Sequence, residues 1–257
     1  MLLKNKKAVI YGAAGAIGGA VASAFAREGA KVFLVGRTLD SLNKVAREIT
    51  NEGGTAEVAL VDALDSQAIE QHLDAIVQKA GTIDISFNAI SIQGEMGTPL
   101  IQMTSENFTL PILTRVKTHF LTATAAARHM VRQKSGVILT LSSSAAGLSG
   151  RDSRFHLTGG FGTACATIEA LSRSLAGELG PQGIRVVCLK PDAIPETWTK
   201  EGDVGENEVK TYMENGTLLG RLPSLNEVAN AGVFMASDRA SAMTGTIVNL
   251  TCGSIMV

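Results

Sequence analysis

Six prolines, one tryptophan, two tyrosines and three cysteines are all that 257 residues contain of these types. An odd cysteine count without metal-type spacing argues against a disulfide framework and a thiolate metal site. It reads as free thiols in a reducing compartment. No apolar run is long enough to span a bilayer. The N-terminal MLLKNKKAVI enters a strand directly, without a signal-peptide pattern. The expectation is a cytoplasmic chain with no membrane partner. Basic and acidic residues nearly cancel, 23 against 24. Without a basic footprint, nucleic acid is not an expected partner.

What remains is a chain large enough to bury a substantial core as one domain spanning 1–257. Strand-like runs begin near Ala8, Lys31, Ala56, Ile83, Gly136, Arg185 and Thr246. Helical patterns lie between them, over Ile17–Glu28, Ser41–Glu52, Asp65–Lys79, Ile112–Gln133, Phe161–Leu179 and Leu225–Met235. This alternation predicts an α/β fold, a single doubly wound parallel-sheet Rossmann domain with helices on both faces. Pro111 suits a helical first turn, where its missing N–H costs nothing. Ser224 and Glu227 have the spacing of a capping box. Phe161, Ala164, Ile168, Leu171, Leu175 and Leu179 make one apolar stripe, and Gly180-Pro181 stops that helix. Two stretches break the rhythm and read as loops: Ser144–Gly160, and a substrate-side lid over Pro191–Gly220.

The first strand runs into Gly12-Ala13-Ala14-Gly15-Ala16-Ile17-Gly18 and then a helix. Small residues there let backbone approach a pyrophosphate, and the helix N-terminus offers free N–H groups and a positive dipole end. Gly12, Ala14, Gly15, Ile17 and Gly18 are therefore candidate cofactor contacts. The plain alternative is a tight turn without a ligand.

The loop Gly12–Gly18 and the segment Phe161–Val187, FGTACATIEALSRSLAGELGPQGIRVV, resemble the short-chain dehydrogenase/reductase family. The resemblance runs essentially the whole chain and implies hydride transfer between a nicotinamide cofactor and a small carbonyl or alcohol. In that family Asp62, with Ala63 beside it, matches the position that binds adenine. Asn88-Ala89-Ile90-Ser91 matches the ending of the fourth strand. Pro191, Ile194 and Thr197 match the segment over the nicotinamide. Gly36 stands where NAD-specific relatives carry an acid, and Arg37-Thr38 follow. A guanidinium there would pair with a 2′-phosphate, so NADP is the expected cofactor, with NAD possible. Paired Ala- and Leu-rich helices imply a homo-oligomer, a tetramer or a dimer.

The resemblance fails where the chemistry should be. Counted in helix register, the family's catalytic Tyr and Lys positions hold Phe161 and Cys165, and its helix Asn position holds Arg115. Ser143 matches the carbonyl-binding Ser, with Ser144 as the alternative register. Counting instead from Ser143 reaches His156, an imidazole able to act as general acid, although a surface-loop role is its default reading. Two readings stay open: an NADP-linked oxidoreductase using Ser143 with His156 or water, and a non-catalytic protein that binds nucleotide or another small ligand.

Overall fold

A computed structural model describes residues 1–90, 94–152, 154–198 and 206–256. Strands and helices follow in the order β1 (Lys7–Tyr11), α1 (Ala16–Arg27), β2 (Lys31–Gly36), α2 (Leu39–Asn51), β3 (Thr55–Leu60), α3 (Ser66–Ala80) and β4 (Ile85–Asn88). The second half runs α4 (Ser105–Gln133), β5 (Gly136–Leu141), α5 (Ala145–Leu148), α6 (Gly159–Leu179), β6 (Ile184–Pro191), α7 (Glu206–Asn215), α8 (Leu225–Ala236) and β7 (Ile247–Leu250). All seven strands form one parallel sheet in the order β3-β2-β1-β4-β5-β6-β7. Strand order reverses between β1 and β4, which opens a crevice beyond their carboxyl ends.

Side-chain alternation along the strands divides the core in two. Ile10, Leu34, Leu139 and Val187 pack with Val21 and Phe25 of α1 and Val233 of α8. Val9, Phe33, Ile138 and Val186 pack with Leu73 of α3, Ala126 of α4 and Leu175 of α6. The expected α/β class and parallel sheet are thus present.

Helix ends follow local chemistry. Ser224 accepts from the Glu227 N–H while the Glu227 carboxylate accepts from the Ser224 N–H, closing the capping box on α8. α6 ends at Gly180, as its Gly-Pro stop requires. Pro111, however, lies inside α4 rather than in its first turn. Thr104 starts that helix earlier, its Oγ1 accepting from the Asn107 N–H. The two expected loops also contain helices, α5 and α7. Ser91 of the fourth-strand motif, residue 153 of the first loop and residues 199–205 of the lid lie outside the described residues.

α4 and α6 cross closely at Gly160. A Cβ on Gly160 would stand 1.8 Å from the Phe108 carbonyl oxygen, so only glycine permits this approach. The crossing sets residues after Phe161 directly against α4. Among the described residues no helix is long and apolar enough to cross a membrane.

Candidate nucleotide cleft and active site

A cleft of about 450 Å³ occupies the switch point. Gly12, Ala14, Gly15, Ile17 and Gly18 form one wall; Arg37 and Thr38 form a second, and Asp62, Ala63 and Ala89 a third. These expected cofactor positions, scattered over four strand ends, therefore meet in one place. A Cβ on Gly18 would come within 2.3 Å of the Gly12 carbonyl oxygen, and Gly12 itself has φ +77°. Neither position accepts a side chain without moving the loop. α1 has no side-chain cap at Gly15, so its first-turn N–H groups remain available to an anion. Arg37 is exposed at the rim and, among the described residues, pairs with no carboxylate.

The remaining cofactor candidates sit otherwise. Asn88 donates to Thr122 Oγ1 at 3.0 Å and accepts from the Ile90 N–H, which pins β4 to α4 and keeps Asn88 out of the cleft wall. Pro191 closes β6, its carbonyl accepting from the Ser144 N–H. Ile194 is buried, and its carbonyl accepts from Thr197 Oγ1 at 2.7 Å; Thr197 does line the cleft. Tyr11, Thr114 and Thr118 are lining residues that the sequence did not single out. Their signal was register: Tyr11 ends β1, and Thr114 and Thr118 lie one helical turn apart.

At the other end of the crevice the three departures from the family pattern meet. The Arg115 guanidinium lies 4.8 Å from the centre of the Phe161 ring. Its Nη1 donates to Cys165 Sγ at 3.5 Å and its Nη2 to the Leu141 carbonyl at 3.0 Å. Arg115 is only 1% exposed, Cys165 is fully buried, and Nε of Arg115 has no partner among the described residues. Burial holds the Arg115 pKa down and pushes the Cys165 thiol up. Beneath them His119 donates from Nδ1 to the Arg115 carbonyl at 2.8 Å and accepts at Nε2 from the Leu141 N–H. Burial first, and the Arg115 charge second, lower the His119 pKa to about 3. The cluster thus combines a stacked cation, a neutral imidazole and a protonated thiol, with no acid aimed into open space.

A second buried set lies one turn along α6. Lys190 Nζ is 3.1 Å from Glu169 Oε1, which also accepts from Ser142 Oγ at 2.8 Å. Sequence reasoning missed this ion pair. Its signal was a lysine following the apolar run Val186–Leu189 of the strand IRVVCLKP.

Ser143 is half-buried, and its Oγ accepts from the Ala145 N–H at 3.2 Å, leaving its own hydrogen to donate. Ser144 is spent on Asp192, donating to Oδ1 at 2.7 Å. His156 is buried, only 6% exposed, rather than a surface-loop residue, because Asp152 accepts from its Nδ1. It lines a separate cavity of about 220 Å³. Ser143 lines neither this cavity nor the nucleotide cleft, so the two catalytic candidates are not brought together.

Comparison with known proteins finds relatives over nearly the whole chain. A family model described as enoyl-(acyl carrier protein) reductase matches residues 12–254. Tropinone reductase-like 2 of Erythroxylum coca is 33% identical over 252 residues, 95% of this chain and 88% of its own. A 3-oxoacyl-(acyl-carrier-protein) reductase of Chlamydia muridarum is 29% identical, covering 98% of both chains. A short-chain type dehydrogenase/reductase from Mycobacterium marinum has a solved structure with a TM-score of 0.86 at 30% identity, over 98% of this chain and 96% of that one.

Proposed function

The chain belongs to the short-chain dehydrogenase/reductase family of oxidoreductases, and from that membership we propose that it binds NADP(H) in the switch-point cleft. The observation that carries this is the convergence of Gly12–Gly18, Arg37 and Asp62 on one cavity, with Gly36 where an acid would select NAD and the Arg37 guanidinium next to it. The Gly12–Gly18 backbone and the α1 N-terminus hold the pyrophosphate. Arg37 pairs with the 2′-phosphate, and Asp62 faces the adenine. Bound NADPH would supply a hydride.

Under the oxidoreductase reading the substrate is a small carbonyl compound whose oxygen Ser143 binds. The proton comes from water, or through water from Nε2 of a protonated His156, since Ser143 does not line the His156 cavity. A second reading has its own support. Arg115 stacked on Phe161 and bonded to Cys165 leaves neither a phenol nor a ribose-binding ammonium. That arrangement favours a nucleotide-binding protein without carbonyl chemistry. The exposed α4 residues Leu110, Leu113 and Phe120 suit a homo-oligomeric contact, which light scattering tests.

Titrations with NADPH and NADH, run beside turnover of a carbonyl panel, separate the readings. Saturable NADPH binding with turnover supports the oxidoreductase, and binding without turnover supports the second reading. Equal affinity for both cofactors overturns the assignment of Arg37.

A further inference from the structure

The cavity of about 220 Å³ beside His156 is walled by Leu148 and Met213 and by the polar residues Arg151, His156 and Asn215. Its acceptors are already used. Asp192, on the same wall, accepts from Ser144, from Ser254 and from the Ala193 N–H. Asp152 accepts from His156, from Tyr212 Oη at 2.5 Å and from the Arg154 and Phe155 N–H groups. Four donors on one carboxylate hold Asp152 far below the usual range, the Tyr212 bond contributing most. It is therefore a fixed anion that keeps a proton on His156 Nδ1.

The donors facing this cavity are not used. Among the described residues, the buried His156 Nε2, a donor when the ring is protonated, and the exposed Asn215 amide and Arg151 guanidinium at the cavity mouth have no hydrogen-bond or ion-pair partner. Unfilled donors around a small space with an apolar wall call for a ligand that brings acceptors and a short hydrocarbon body. With a free guanidinium among them, an oxyanion fits better than a neutral group.

We propose that this cavity is a binding site for a small carboxylate. Arg151 and Asn215 hold its oxygens, His156 in its doubly protonated form, with Nδ1 held by Asp152, donates from Nε2, and Leu148 and Met213 cover its chain. Tyr212 of α7 and His156 share Asp152, so the lid helix and the ligand-binding imidazole are fixed by one carboxylate. The site is independent of the nucleotide reading, because none of these residues lines the nucleotide cleft.

The chain has four histidines, so their ring resonances can be followed separately by NMR at fixed pH. Acetate, butyrate and hexanoate are titrated, each against its amide. At least one acid should shift the His156 ring saturably below roughly 10 mM, leaving His72, His119 and His129 in place. The matching amide should not. Arg151→Gln should weaken that response roughly tenfold, as for a lost charge-assisted contact, while NADPH binding stays unchanged. Arg151→Lys should keep part of it. Acid and amide acting alike, an unaltered response in Arg151→Gln, or no saturable shift with any acid would each overturn the proposal.

Discussion

The two ends of the crevice are built from the same sheet and differ in what fills them. At the β1–β2–β3 end small residues and backbone leave space, Arg37 is exposed, and Asp62 accepts from the Leu64 N–H of its own turn. At the α4–α6 end a buried guanidinium, an aromatic ring and a thiol occupy one another. Under the proposed reading a cofactor is held at the first end, while Phe161 and Cys165 fill the second, so nucleotide binding and carbonyl chemistry would be separable on this scaffold.

The largest expected effect comes from rebuilding the filled end. Replacing Phe161→Tyr, Cys165→Lys and Arg115→Asn together should raise carbonyl reduction by about 10²–10⁴-fold, the usual worth of general acid catalysis. Steady-state NADPH consumption measures it. No gain would mean that the lengthened loop Ser144–Gly160, rather than the missing acid, limits the site.

The opposite end is broken by one methyl group. Gly18→Ala places a Cβ against the Gly12 carbonyl, 2.3 Å away before any relaxation. NADPH affinity should fall on the order of a hundredfold as the loop shifts from the pyrophosphate. Titration checks it, and unchanged affinity would remove the loop from the account.

Arg37→Ala tests selectivity within the open end. It should cost NADPH about 1–3 kcal/mol and leave NADH nearly unaffected. Parallel titrations with the two cofactors read the difference.

The smallest effect is a pH dependence at the filled end. His119 is neutral in the folded protein, its pKa lowered from 6.5 to about 3. A folded pKa below the unfolded one means that acid favours unfolding. The stabilising preference is complete above about pH 6.5 and shrinks by about 1.4 kcal/mol per pH unit below that, down to the folded value. Thermal unfolding at pH 7 and pH 5 should show the loss. His119→Gln, which keeps a donor and an acceptor, should flatten it.

Much of this contrast was legible in the sequence, for identifiable reasons. The glycine loop, Arg37 and Asp62 each follow a strand, and a parallel sheet sends every strand's carboxyl end to the same edge. Periodicity puts them at one edge, and the family resemblance is what singled out Arg37 and Asp62. Phe161 and Cys165 were readable because α6 fixes their spacing, and Arg115 because α4 fixes its register. The stacking of Arg115 on Phe161 was not, since contact between two helices depends on their crossing at Gly160. His156 was misread by default as a surface-loop residue because its burial depends on Asp152 and on Tyr212, a residue of α7. Lys190 with Glu169 escaped for the same reason: strand and helix each supply half of the pair. Pro111 misled because a proline inside a long helix resembles a helix start.

The central claim is that the chain holds its nucleotide but lacks carbonyl chemistry at the family position. One sample tests it: NADPH bound to saturation, then challenged with a carbonyl panel while its absorbance is followed. The account predicts saturable binding with turnover at least about 10²-fold below that of the rebuilt Phe161→Tyr, Cys165→Lys, Arg115→Asn variant. Robust turnover by the unmodified protein, equal to that of the rebuilt variant, would contradict it.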